Sequence, residues 1–590
     1  MKAARLFLIG SVAASLACGA PSVTPVLPGP DAAAPLPTAA PASTLGDEDV
    51  AKASKAYLDL LLELRPEAAS ELGIHDADDR LEDRSAVGQQ KIIDRQMAMA
   101  ADVAQRFAGA TLSRAASIDL RILRSALVVD ARFRKEQRPW ARRPDFYSEP
   151  MQALFQMTAR DYAPAAERAK NALARIEAIP ASLKEARGVL KEPPAVWVQV
   201  GIESAGGAKE FFDTMRPFLE KALPSEKPRI AAALKGARDA YAEWKTFLEK
   251  DVKPSAPSGG EFASGREFFD WMLKEQYFLA EDADALLTIG IRVFGETVQK
   301  LEEVAHRIDP EVPKEGGWQV VVRRVKGKHP SAAELLPAYR KEMARARKFL
   351  VDKDVVAMPP GDQCDVMDTP PFQRSTVSAA YDQPPPFASQ TKGLFFVTPV
   401  DKTMTRAQKE QMLRENDYGD IVDTVVHEAY PGHHLQLSFA RLHPSTIRKA
   451  TGPSIFSEGW ALYTEELMSE LGYYKDEERL MQLVWTLVRS ARVMIDIGLH
   501  TKNMTFEQAV KTLTDEVGLE RELAMSEVKR YTMTPTQPLA YLIGREKLFA
   551  LRERVKARDG KAFSLKKFHE EVLTKGTVAP SLVEEEIFGK

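Results

Sequence analysis

Cysteine is nearly absent. Cys18 and Cys364 are the only two in 590 residues, which excludes a disulfide framework and a cysteine-only zinc module. An excess of either charge is missing as well: 81 Lys and Arg stand against 84 Asp and Glu, for a formal net charge of −3. That balance carries neither the basic surplus of a nucleic-acid binder nor a solvating acidic tail, and no nucleic-acid partner is expected. The apolar run at 6–16 is too short to span a bilayer as a stable helix. What is present, 44% hydrophobic and 28% charged residues, is the composition of a large globular protein. Nine histidines leave metal chemistry open.

The first residues have the order of an export signal: Lys2 and Arg5, the apolar run, then small residues before Cys18. Ser15-Leu16-Ala17-Cys18 is similar to a bacterial lipobox, with Ser15 in place of the usual leucine. The expected layout is a signal peptide at 1–17 and a lipidated Cys18 opening a tether at 18–47. Simple cleavage to a free exported protein is the alternative. Seven prolines between 21 and 41 make the tether unable to pack a core. Gly19, where retained inner-membrane lipoproteins carry aspartate, favours the outer membrane, on the periplasmic side or the cell surface. From about residue 49, helical periodicity recurs near 88–108, 114–135, 162–178, 208–222, 227–250, 282–307 and 331–351. The proline-rich stretch 354–400 holds β-prone runs, above all 393–398. A mainly α fold with a small β-sheet is expected over 48–590, with one candidate division into an N-terminal lobe at 48–260 and a catalytic lobe at 261–590.

Four of the nine histidines lie between 427 and 443, in Val-Val-His427-Glu428-Ala-Tyr-Pro431-Gly432-His433-His434. Neutral imidazoles suit Zn(II), and an adjacent carboxylate can take a proton from water at the metal. In HExxH the two imidazoles lie about 6 Å apart along one helix face. Here His433 would stand about 9 Å along and roughly 120° round, and His434 about 10.5 Å along. Neither can share a metal with His427 on a straight helix. Pro431 cannot donate to the His427 carbonyl and Gly432 tolerates unusual dihedrals, so a bulge at 430–432 is expected to return a histidine to range. Phe456-Ser457-Glu458-Gly459-Trp460 reads as the start of another helix, with Ser457 as N-cap and Glu458 as third ligand. Glu465, seven residues on, is a candidate support. Each residue alone is as well explained by a helix-start charge or a satisfied histidine; together with a costly Pro-Gly break they indicate a metal site.

HEAYPGHHLQ, SEGWALYTEEL, RSARVMIDIGLH, RYTMTPTQPLAYLIGREKLFALR and FSLKKFHEEVLTKG, in that order, resemble the bacterial domain-of-unknown-function family 885 over most of 48–590. The resemblance implies a gluzincin-type site and an elongated, mainly helical zincin-like fold. Aligned on HExxH, the motif is His-Glu-(three residues)-Gly-His, which favours His433 over His434 as second ligand and makes His434 a neighbour. Where the family often reads Pro-Gly-Gln, this chain has Pro535-Thr536-Gln537.

Tyr531 and His500 lie in the resembling segments and are the expected donors to a developing oxyanion, with Asp496 four residues before His500. Tyr541 and Arg545 have weaker claims. His569 reads as a solvated helix residue, and His75, His306, His329 and His443 have no evident partner. The 393–398 strand, if exposed at an edge, could pair with an extended peptide, with one of Phe395 and Phe396 buried. The expected function is an exported zinc metallopeptidase acting on short peptides, with His427, His433 and Glu458 as ligands and Glu428 as base. The alternatives are a non-catalytic zinc-containing binding or scaffold lipoprotein, and a zinc hydrolase of another amide or ester.

Overall fold

Each amphipathic stretch between 49 and 351 is a helix, and the side chains that start these helices are visible in the sequence. Ser85 accepts from the Gly88 N–H to open Ala86–Arg106, Ser113 from Ala116 to open Arg114–Gln137, and Asp282 from Ala285 to open Ala283–Ile308. Asp47–Leu64 ends just before Pro66. The computed structural model describes residues 45–370, 374 and 378–589, so the export signal, Cys18 and the tether up to residue 44 lie outside the described residues. No helix among the described residues is long and apolar enough to cross a membrane.

Among the described residues the fold is mainly helical with one small sheet, as expected. Three strands, β1 (Cys364–Asp368), β2 (Ala379–Asp382) and β3 (Gly393–Val397), lie in the order β1-β3-β2. β1 runs parallel and β2 antiparallel to β3, with Val366 and Tyr381 both opposite Phe395. The strand expected at an edge is therefore the central one. Both of its phenylalanines are buried: Phe395 packs edge-on against Tyr339 at 5.6 Å and Phe396 against Phe155 at 6.1 Å, so each sheet face is covered. The edge beside the histidine helix is β2, whose Tyr381 N–H donates to the Glu428 carboxylate at 2.8 Å.

The chain from 43 to 590 forms one compact unit, and its apolar cores interleave along the sequence. Helices between 50 and 127 share a core with residues 421–583, whereas 131–248 builds a second core and 301–325 packs with 480–531 in a third. A boundary at residue 260 does not coincide with a division between these cores. The contact that sets the site is Ser454–Glu470 against Gln537–Asp559. A Cβ at Gly459 would lie 2.6 Å from the Gly544 Cα, and one at Gly544 only 1.9 Å from the Ile455 carbonyl oxygen. Only a pair of glycines lets the two backbones approach this closely, and it brings Tyr541 towards the helix that carries Glu458.

Gln537–Asp559 begins after Thr536, which is buried and left-handed at φ 70°, with its N–H directed to Asp496 at 3.3 Å. The position thus has the conformation that the glycine of the resembling family would adopt freely. A β-branched residue there carries strain of about 1–2 kcal/mol, against the roughly 0.5–1 kcal/mol that glycine loses through chain entropy. Thr536→Gly is expected to be neutral to about 1 kcal/mol stabilising by urea unfolding. A loss larger than about 1 kcal/mol would contradict the strain argument.

Candidate metal centre

Asp417 opens the first site helix, Tyr418–Glu428, by accepting from the Gly419 and Asp420 N–H groups at 2.8 and 3.1 Å. Ile421, Val422, Val425 and Val426 anchor it in the core, which leaves His427 and Glu428 on its last turn. The helix then stops outright rather than bulging. Ala429 leaves helical geometry at φ −112° and ψ −85°, the Tyr430–Pro431 bond is cis, and a new helix, His433–Ala440, starts after Gly432. The loose backbone groups find partners: Tyr430 N–H bonds to the Val425 carbonyl at 3.2 Å, and the Pro431 carbonyl accepts from Trp460 Nε1 at 2.8 Å. Trp460 is buried and lies two residues from Glu458, so this bond ties the break to the third segment of the site. Gly432 sits so close to the His427 carbonyl that a Cβ would fall 1.8 Å from that oxygen.

The break brings His433 beside His427, with ring centroids 4.8 Å apart and planes at 89°. Glu458 Oε2 lies 3.2 Å from His433 Nε2 and 3.6 Å from His427 Nε2. Neither ring nitrogen bonds to it, and this buried oxygen has no hydrogen-bond partner among the described residues. Three ligand-type atoms therefore converge within ion-pair distance but without a well-directed hydrogen bond between them. Glu458 sits on the second turn of its helix, which begins at Ser454 after Pro453 rather than at a Ser457 cap. Glu428 approaches the same place: it and the two histidines each offer a ligand atom within 4.8 Å of one another. Its Oε2 is already engaged by the Tyr381 N–H, whereas Glu458 Oε2 has no such partner among the described residues.

Glu465, fully buried, takes a hydrogen bond from His427 Nδ1 at 2.7 Å. A carboxylate can only accept, so Nδ1 carries a proton and Nε2 is the ring nitrogen that faces the cluster and must lose its proton to bind a cation. Burial disfavours the imidazolium form of His427, but Glu458, Glu465 and Glu428 outweigh it and raise its pKa to about 10. Burial likewise pushes Glu458 up, and the two histidines overcome it, holding the carboxyl well below its usual range. Three carboxylates around two imidazoles leave a surplus of negative charge that a divalent cation would neutralise.

The structure brings together His427, Glu428, His433 and Glu458 but places Tyr531 and His500 in other contacts. The Tyr531 hydroxyl, fully buried, donates to Glu527 at 2.5 Å and accepts from Arg492 Nε at 2.8 Å. His500 is pinned between two backbones: Nδ1 accepts from the Ser264 N–H at 3.2 Å and Nε2 donates to the Tyr531 carbonyl at 3.0 Å. Burial lowers its pKa to about 4, so it stays neutral near pH 7. Asp496, 3.9 Å away, instead accepts from the Thr536 and Leu539 N–H groups, and burial raises its pKa well above the usual value. The tyrosine that faces the cluster is Tyr541, whose ring stacks near-parallel to His427 at 6.4 Å. Arg545, the other weaker claimant, pairs with Glu546 at 2.9 Å. His569 is not solvated: it is buried and bonded to Tyr463 at 2.9 Å and to the Val355 carbonyl at 2.9 Å.

His434 points away from the cluster, its Nε2 donating to Asp362 at 2.8 Å and Nδ1 bonded to the Tyr381 hydroxyl at 3.0 Å. Burial pushes the Asp362 carboxyl up, yet hydrogen bonds from His434, Tyr430 and Arg347 hold it below its usual range. Asp362 and Tyr381 were not legible as site residues. They come from the proline-rich segment, where no periodicity or motif marks them.

Residues 66–587 match a family described as bacterial proteins of unknown function, DUF885. The chain belongs to this family. No curated protein matches it. Two solved structures share the fold over nearly their whole length. A candidate lipoprotein of unknown function from Shewanella oneidensis is 26% identical, with a TM-score of 0.75, covering 91% of this chain and 99% of that one. A candidate lipoprotein from Colwellia psychrerythraea is 20% identical, with a TM-score of 0.77, covering 92% and 98%.

Gly432→Ala tests the break directly. The added methyl must displace either the His427 carbonyl or the His433 helix, and zinc affinity measured by competition with a chelator is expected to fall about tenfold or more. Unchanged affinity in a folded variant would show that the close approach does not set the spacing of the ligands.

Proposed function

We propose that this chain is an exported, lipid-anchored zinc metallopeptidase that hydrolyses short peptides. The observation that carries the reading is Glu458 Oε2, buried between two imidazole nitrogens at 3.2 and 3.6 Å and hydrogen-bonded by neither. Two neutral imidazoles and one carboxylate are the donor set of a gluzincin-type zinc centre and leave a fourth position open, as catalysis requires. Bound zinc would supply a Lewis acid that polarises a carbonyl and lowers the pKa of water towards neutrality.

The chain's own groups then divide the work. Glu428, with one oxygen fixed by the Tyr381 N–H, has its second oxygen to accept the proton of the attacking water and pass it to the leaving amine. Tyr541 replaces Tyr531 and His500 as donor to the carbonyl oxygen while charge develops there. Burial and the negative charge of Glu458 raise its pKa, so the phenol keeps its proton at neutral pH, and Gln537 Nε2 lies 3.4 Å from its oxygen. Export and anchoring rest on Lys2, Arg5 and the apolar run ahead of Cys18, together with the similarity to the Shewanella candidate lipoprotein.

A closed, structural zinc site in a scaffold lipoprotein is the second reading, favoured by the approach of Glu428 to both histidines. Glu428→Gln separates the two. Catalysis predicts retained zinc with peptide turnover reduced at least about a hundredfold, whereas a structural ligand predicts loss of the metal. Tyr541→Phe is expected to lower kcat about a hundredfold with little change in KM, and Tyr531→Phe to act mainly on stability. The reverse ranking in steady-state kinetics would return the oxyanion role to Tyr531.

A further inference from the structure

Beside the cluster lies a cavity of about 430 Å³ to which His433 and Glu458 contribute one wall. Its floor follows a single face of the second site helix, in the order His433, Leu437, Ala440 and Arg441, and Lys449 also lines it. The charges in this cavity are unevenly matched. Asp382 is paired with Arg160, and Arg448 with Asp119 and Glu586. Arg441 and Lys449 have no carboxylate partner among the described residues. Arg441 spends one nitrogen on the Ala388 and Gln390 carbonyls at 2.7 and 2.5 Å, while its buried Nε bonds to nothing described. Lys449 rests its ammonium 4.8 Å from the centre of the Phe387 ring. Two cations without counter-charges in a partly enclosed, low-dielectric space attract an anion strongly, and a guanidinium matches a planar carboxylate best.

We propose that Arg441 and Lys449 hold a carboxylate of the substrate, so that the enzyme takes peptides near an acidic end. The inference rests on the peptidase reading and names its substrate class. Eight residues separate His433 from Arg441 along one helix, about 12 Å of rise. An extended peptide advances about 3.3–3.6 Å per residue, so the carboxylate falls within about three residues of the scissile bond. The α-carboxylate of a chain end meets this requirement in any short peptide and makes the activity that of a carboxypeptidase releasing one to three residues. An Asp or Glu side chain offers the same chemistry.

The test uses zinc-loaded full-length protein and a pool of N-acetyl tetrapeptides varied at the last two positions, as free acids and as C-terminal amides, with products identified by mass spectrometry. The expected result is a kcat/KM at least about tenfold higher for acids than for amides, since a charge-assisted carboxylate contact is worth that factor or more. In Arg441→Gln and Lys449→Gln that ratio should narrow towards one while zinc content holds. Selective cleavage of amides bearing Asp or Glu would assign the cations to a side-chain carboxylate. Equal cleavage of acids and of amides lacking acidic residues would overturn the proposal. Should the wild type cleave neither set, the peptidase reading falls by itself. Binding of the two sets to the same protein by calorimetry then decides the pocket, tenfold tighter acids supporting it and equal affinities refuting it. Because Arg441 also braces the 388–390 loop, Lys449→Gln and thermal melts keep a folding defect distinct from lost recognition.

Discussion

The site depends on one interruption of helical geometry. His427 and His433 are six residues apart, a separation at which no straight helix lets two imidazoles share a ligand. The chain resolves this by ending one helix at Glu428 and starting another at His433, with the Gly432 backbone against the His427 carbonyl. Such a break removes helical hydrogen bonds and would be costly if its polar groups were buried without partners. The Trp460 indole pairs with the Pro431 carbonyl, and the same residue belongs to the helix that brings Glu458. One hydrogen bond thus stabilises the break and sets the separation of the two segments that it must keep together.

Electrostatics separates residues that look alike in the sequence. Glu428, Glu458 and Glu465 all face His427 or His433, but each has a different companion. Tyr381 supplies a backbone N–H to Glu428, His427 Nδ1 donates to Glu465, and Glu458 Oε2 is left with none among the described residues. The proposed roles of base, orienting group and ligand rest on that difference in hydrogen bonding rather than on residue type. The second histidine of the pair is separated in the same way. Asp362 and Tyr381 occupy both nitrogens of His434, while His433 is left to face the cluster.

Beyond the cluster, two kinds of buried polar group divide. Tyr531, His500 and Asp496 are bonded to neighbouring backbones or to an Arg–Glu pair, which locks the Asp476–Thr501 helix against Arg521–Met533 and the start of Gln537–Asp559. Their motifs are as conspicuous as those of the histidine helix because both demand particular side chains. A motif does not distinguish a residue needed to hold two helices together from one needed at a reacting atom. Tyr541 shows the converse: set in the same run of sequence as Tyr531, it stands out only by its ring over His427.

Local patterns sufficed for the helical class, the position of most helices, the strand at 393–397 and the candidates His427, Glu428, His433 and Glu458. These follow from apolar periodicity, capping side chains and short spacings, which act within a few residues of chain. Tertiary structure alone decided that β2 rather than β3 forms the edge beside Glu428, that Tyr541 rather than Tyr531 faces the histidines, and that Asp362 holds His434. It also placed Arg441 and Lys449 in the cavity beside Glu458 without carboxylate partners among the described residues. Each of these is a through-space relation between segments tens to hundreds of residues apart. Such relations are set by how helices and strands pack, a consequence of the whole fold that no local spacing encodes.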